Sequence, residues 1–115
     1  MGGSSSKINP SNVSCKNVCW EHTIKKDLAN KNINNNSSLA DYLDSIDQGN
    51  RSDKDRKLVY QCDCIKIELY RYRRRKYKLN IFDKNNDPPL QKVNSYATSS
   101  DIYQKLNDAI LNLKP

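Results

Sequence analysis

The sequence predicts a small α+β domain, and three observations carry that prediction. Apolar residues recur at helical spacing in the first half, alternate with polar ones from about Leu58 to Ile81, and return to helical spacing near the C-terminus. The expected order is N-terminal helices, a central antiparallel β-hairpin or small meander, and a C-terminal amphipathic helix. At 115 residues the chain holds one domain at most. Residues 1–14 read as a flexible leader, rich in Ser, Gly and Asn, and residues 15–115 as the folded unit. Only 36% of the chain is apolar and asparagine occupies fifteen positions, so the core must be small.

The first helix is expected from Ser14 to about Asn30. Cys15, Val18, Cys19 and His22 fall at i, i+3, i+4 and i+7, and Trp20, Ile24 and Leu28 form a second stripe. The asparagine-rich "NKNINNNSS" breaks it, because asparagine side chains compete for backbone hydrogen bonds and favour turns. In "SLADYLDSIDQG" the residues Leu39, Tyr42, Leu43 and Ile46 give one helical face. Ser38 is the expected N-cap and Gly49 the expected left-handed stop.

From Leu58 the period becomes two. Ile65, Ile67 and Leu69, and later Tyr77, Leu79 and Ile81, share one face if the strands form a hairpin. The expected register sets Leu69 opposite Tyr77, Ile67 opposite Leu79 and Ile65 opposite Ile81, with the loop centred on Arg73. Leu58, Tyr60 and Cys62 have the opposite parity to Ile65, which requires either a bulge near Asp63 or a separate strand. Residues 90–97 suggest a short edge strand. "SSDIYQKLNDAILNLK" closes the chain as a capped helix with Ile102, Leu106, Ala109, Ile110 and Leu113 inward. A strand pair followed by a terminal helix resembles the end of a pleckstrin-homology-like barrel or part of a ubiquitin-like unit. Too few strands are visible for the seven of the former.

The net charge of +7 favours anionic partners. No apolar run approaches the roughly 18 residues of a spanning helix, and no secretory signal is visible. Those absences suggest the cytosolic side, where Cys15, Cys19, Cys62 and Cys64 would be thiols.

The start, "MGGSSSK", fits the pattern for N-myristoylation on Gly2 after methionine removal, with Ser6 as the small hydroxyl residue. With Lys7 it resembles the N-terminal signal of Src-family kinases, M-G-x-x-x-S-K. That resemblance covers seven residues and implies a lipid anchor, not a kinase. One acyl chain binds a bilayer only marginally, so a second signal is expected. Cys15 and Cys19 are candidates for palmitoylation. The other candidate is "RYRRRKYK", in which Arg71, Arg73, Arg74, Arg75, Lys76 and Lys78 place six cations in eight residues. Each cation near an anionic leaflet contributes about 1 kcal/mol.

The expected function is therefore a peripheral membrane protein, a small adaptor, scaffold or targeting subunit that presents its domain to a protein partner. The alternatives are a phosphoinositide-binding module, or a single-stranded nucleic-acid binder in which Tyr70, Tyr72 and Tyr77 stack bases among the arginines. Neither cofactor nor metal is expected. Cys15, Cys19 and His22 with Cys62-Asp-Cys64 do not follow a usual zinc spacing. No phosphate-cradling glycine loop occurs, and His22, the lone histidine, has no nucleophile beside it, so catalysis is not expected.

Overall fold

Four antiparallel strands form a meander, and the helices cover one of its faces. The computed structural model describes residues 11–48 and 52–113. A helical stretch opens the described chain as α1 (Ser11–Val18), a π-helical segment (Cys19–Ile24) and α2 (Lys25–Asn30). Then follow α3 (Asn36–Ile46), a 3-10 turn (Asp53–Arg56), β1 (Lys57–Gln61), β2 (Ile65–Arg73), β3 (Lys76–Asp83), β4 (Leu90–Thr98) and α4 (Ile102–Leu111). The strands lie in the order β1-β2-β3-β4, each antiparallel to the next. The α+β class and the terminal helix are as the sequence predicts. Among the described residues four strands in a meander are present, which is neither a seven-stranded barrel nor a ubiquitin-like unit.

The first helix begins at Ser11 rather than Ser14. Of its two predicted stripes, Cys19, Trp20, Ile24 and Leu28 are buried, while Val18 and His22 face solvent. The π-helical segment explains the selection. A wider turn brings positions five apart, Cys19 and Ile24, onto one face, which a regular 3.6-residue period would not do.

Helix α3 starts one turn earlier than Ser38 implies. Asn35 is the N-cap, and its side chain accepts from the Ser38 amide at 2.8 Å. The Ser38 hydroxyl in turn accepts from the Asn35 amide at 3.1 Å, closing a capping box. Gly49 lies outside the described residues. Asn36 also caps α4 from a distance, its Oδ1 accepting from the amides of Tyr103 at 2.8 Å and Gln104 at 3.1 Å. Asp101, at the N-cap position of α4, instead accepts from the amide and hydroxyl of Thr98.

In the β2–β3 hairpin both apolar sets share the inner face, but the register differs from the expected one by two residues. Leu69 pairs with Leu79, Ile67 with Ile81 and Ile65 with Asp83. A bulge between Arg71 and Arg73 corrects the parity, so the turn closes over Arg74 and Arg75 alone. Arg75 takes a φ of 61°, a left-handed value that costs an L-residue about 1 kcal/mol. Upstream, β1 is a separate strand. Leu58 opposes Leu69 and Tyr60 opposes Ile67, with the turn at residues 62–64.

The core lies between the sheet and the helices. Leu28, Leu39, Leu43, Ile67, Leu69, Leu79, Ile81, Ile102, Leu106 and Ile110 are fully buried. Each such side chain contributes about 1.5–3 kcal/mol relative to an exposed one. Two tyrosines carry polar ties through this layer. The Tyr60 hydroxyl donates to Asp27, which also accepts from Lys31 at 2.9 Å. Burial opposes ionisation of Asp27, but the bonds from Tyr60 and Lys31 outweigh it and hold the carboxyl below its ordinary range. Burial, then the Asp27 carboxylate, pushes the Tyr60 phenol well up. The Tyr77 hydroxyl donates to Asp44 at 2.9 Å, and burial followed by that bond raises its pKa to about 12.

Candidate functional site

The meander has two contrasting ends. At the β1–β2 turn two disulfides join the sheet to the first helix, Cys15–Cys64 and Cys19–Cys62. The expectation of four thiols is thereby corrected, since no free cysteine remains. Residues four apart on a helix and two apart in a turn each span about 6 Å. The two pairs therefore match, with Cα–Cα distances of 6.3 Å and 6.0 Å across the bridges. Matching i,i+4 and i,i+2 cysteine spacings were the available signal, overridden in the sequence by the assumption of a reducing compartment. In this state Cys15 and Cys19 offer no thiol to a palmitoyl group, so acylation there would first require reduction. Gly2 and the rest of "MGGSSSK" lie outside the described residues.

The opposite end is the basic tip. Arg73, Arg74, Arg75 and Lys76 are exposed, and Arg74, Arg75 and Lys76 have no ion-pair partner among the described residues. The other two predicted cations are partly engaged. Arg71 lies 3.7 Å from Asp44 and 3.8 Å from Asp47, which ties the base of the tip to α3. Those acids therefore serve the fold. Lys78 donates to the Tyr96 hydroxyl at 3.1 Å and sits 4.2 Å from the ring centroid. The tip thus presents an unbroken run of four exposed cations, Arg73 to Lys76, and of the six predicted cations only Arg71 is ion-paired among the described residues.

Strand β2 continues past the first residue of β1, where Lys57 pairs with Tyr70, so Arg71 to Arg73 have no paired strand on that side among the described residues. A cleft of about 590 Å³ opens there, with Lys57, Tyr70, Tyr72, Arg73 and Arg74 in its walls together with Asp47 and Asp53.

The outer face of the sheet was not foreseen as a unit. Lys57 opposes Tyr70, Tyr70 opposes Lys78, and Lys78 opposes Tyr96, so lysine and tyrosine alternate in one row across all four strands. Lys57 lies 4.9 Å from the Tyr70 ring, and Lys66 lies 6.0 Å from the Phe82 ring further along. Tyr72 and Tyr96 pack with ring centroids 5.0 Å apart, and Arg73 lies 5.2 Å from the Tyr72 ring. The Lys78 hydrogen bond, then its charge, lowers the pKa of Tyr96 from its ordinary value. Tyr77 departs from the predicted trio, for it is 1% exposed on the inner face and cannot stack on a ligand. The row was hidden because its residues sit on the polar parity of each strand, and only strand order aligns them.

Among the described residues, no three His, Cys, Asp or Glu side chains are grouped as metal ligands would be. No described helix is long and apolar enough to cross a membrane. Comparison with protein-family models, curated proteins and solved structures finds no match.

Proposed function

We propose that this protein is a peripheral membrane protein, tethered by an acyl group on Gly2 and retained by its basic tip on an anionic lipid surface. The observation that carries the reading is the exposed run Arg73 to Lys76, whose base is tied to α3 by the Arg71 ion pairs. Four cations at about 1 kcal/mol each supply what one acyl chain lacks. The helical face away from the sheet then remains for a protein partner, as an adaptor or targeting subunit requires.

The disulfides set a condition on where this happens. A cytosol-facing leaflet supplies acidic lipid, and there the thiol pool works against both bridges. On that side the protein exchanges between a bridged form and one with four thiols, and only the latter offers the half-buried Cys15 as a thiol for palmitoylation, Cys19 being buried in the core. Thiol-blocked recovery from the native cell, followed by mass analysis, reads both states.

The test of the reading uses the myristoylated full chain with vesicles of phosphatidylcholine alone or with phosphatidylserine. Retention on the anionic vesicles should fall at least tenfold when Arg74 and Arg75 are changed to Glu, and Gly2→Ala should remove binding to neutral vesicles. Equal retention on both vesicle types, unchanged by the charge reversals, would defeat the proposal.

A further inference from the structure

The outer sheet face carries features that a lipid-docking tip does not use. Its rings are spread over three strands, and each is accompanied by a cation. The row Lys57, Tyr70, Lys78, Tyr96 crosses the sheet at the spacing of adjacent strands, about 4.8 Å per step. Tyr72 and Tyr96 remain 46% and 47% exposed although their rings touch. At the side of the row, Tyr70 and Tyr72 stand in the walls of the cleft beside β1, with Arg73 and Arg74.

We infer that this face is a binding platform for single-stranded nucleic acid, in which the tyrosines stack on bases and the interleaved lysines and tip arginines meet the phosphates. Charge complementarity selects the ligand. Lys57, Lys66, Lys76 and Lys78 lie on the outer parity of the sheet, where Glu68, paired to Lys57 and Lys66, is the one acidic side chain among the described strand residues, while Asp47 and Asp53 line the cleft at its side. A polyanion satisfies the cations but leaves the rings unused unless it also carries flat faces. Single strands supply both, because unstacked bases present π-faces that rings and guanidinium groups accept regardless of sequence. A duplex keeps its bases stacked on one another and would meet the charges alone. A four-stranded sheet backed by helices on one side also gives the nucleic acid a preformed surface, so little ordering of the protein is required on binding.

This inference goes beyond the membrane reading, and its test separates the two. The full chain is titrated into a fluorescently labelled twelve-nucleotide oligouridine over a range of salt concentrations. Binding is expected, with Tyr70→Ala and Tyr96→Ala each weakening it about tenfold. Those tyrosine variants should leave the dependence on salt unchanged, whereas Lys57→Ala should reduce the log–log slope by about 0.7, the share of one phosphate on a single strand. Tyr96→Phe retains the ring and should bind as the wild type does. The same tyrosine variants should hold anionic vesicles normally, and their thermal midpoints report whether they fold. Tyrosine variants that bind oligouridine as well as wild type, while Arg74→Glu with Arg75→Glu abolishes binding, would reduce the interaction to charge and overturn the platform. Absence of binding at low salt would overturn it as well.

Discussion

At the turn of residues 62–64 the sheet is fastened to the first helix by two covalent bonds, whereas at the Arg74–Arg75 turn it ends in bare charge. The first end ties together residues 43 and 49 positions apart in the chain. The second is joined to the body through Arg71 with Asp44 and Asp47, and through Tyr77 with Asp44. Like charges crowded at a turn repel one another and favour an opened chain, and they are tolerable only where something else holds the strands. Here the inner face of β2 and β3, with Ile67, Leu69, Leu79 and Ile81 fully buried, carries that load. The comparison teaches that covalent ties and exposed positive charge are placed at opposite ends, so the charged end can carry unfavourable electrostatics.

The strongest way to break the comparison is to reduce both disulfides. The loop closed by Cys15 and Cys64 contributes about 4 kcal/mol in the chain-entropy account, which alone corresponds to a fall in the thermal midpoint of about 15 °C or more. Calorimetry with and without a reductant should show it, and a midpoint shift of only a degree or two would mean that the covalent end does not hold the fold. Removing the inner bridge alone, with Cys19→Ala and Cys62→Ala together, should cost less. It lies within the loop already closed by the outer bridge, so the segment it constrains is short and its contribution is about 2–3 kcal/mol. Removing the outer bridge alone should cost about the same, because the bridge left in place still closes a long loop; a loss of about 4 kcal/mol for either single removal would argue against this nesting.

The basic end should answer more gently. Tyr77→Phe removes one hydrogen bond to Asp44 and should cost about 1 kcal/mol at neutral pH, measured by urea unfolding. The variant also tests a pH dependence of definite sign. Because the Tyr77 pKa is raised from 10.0 to about 12 in the folded protein, its contribution is complete below pH 10 and is lost as the pH climbs from 10 to 12. The phenylalanine variant should flatten part of the fall in stability across that window, with Tyr60, whose phenol is also raised, supplying the remainder. The smallest effect is expected of Arg75→Gly, which relieves the left-handed backbone. It should stabilise by about 0.5–1 kcal/mol while weakening vesicle retention by the share of one cation. Destabilisation on this change would show that the arginine side chain supports the turn.

Much of the fold was legible because it rests on periodicity. The apolar sets of β2 and β3 share a face however the register slides by two, so the buried residues followed from alternation while the partners did not. The two-residue turn was hidden by a bulge at Arg71, which only strand pairing reveals. The cap of α4 was unreadable for a different reason, since Asn36 supplies it from 67 positions away in the chain. Of the candidate site, the arginine run announced itself by composition, but its effective charge depended on Asp44 and Asp47 reaching Arg71.

By itself the sequence determined what faces the core and where positive charge gathers, because both depend on residue type and short-range spacing. Tertiary structure decided which cysteines meet and which tyrosines stand beside lysines. Those outcomes depend on the order of strands and on distances between segments remote in the chain. Local patterning specifies a side chain's face; only the packed sheet specifies its neighbours.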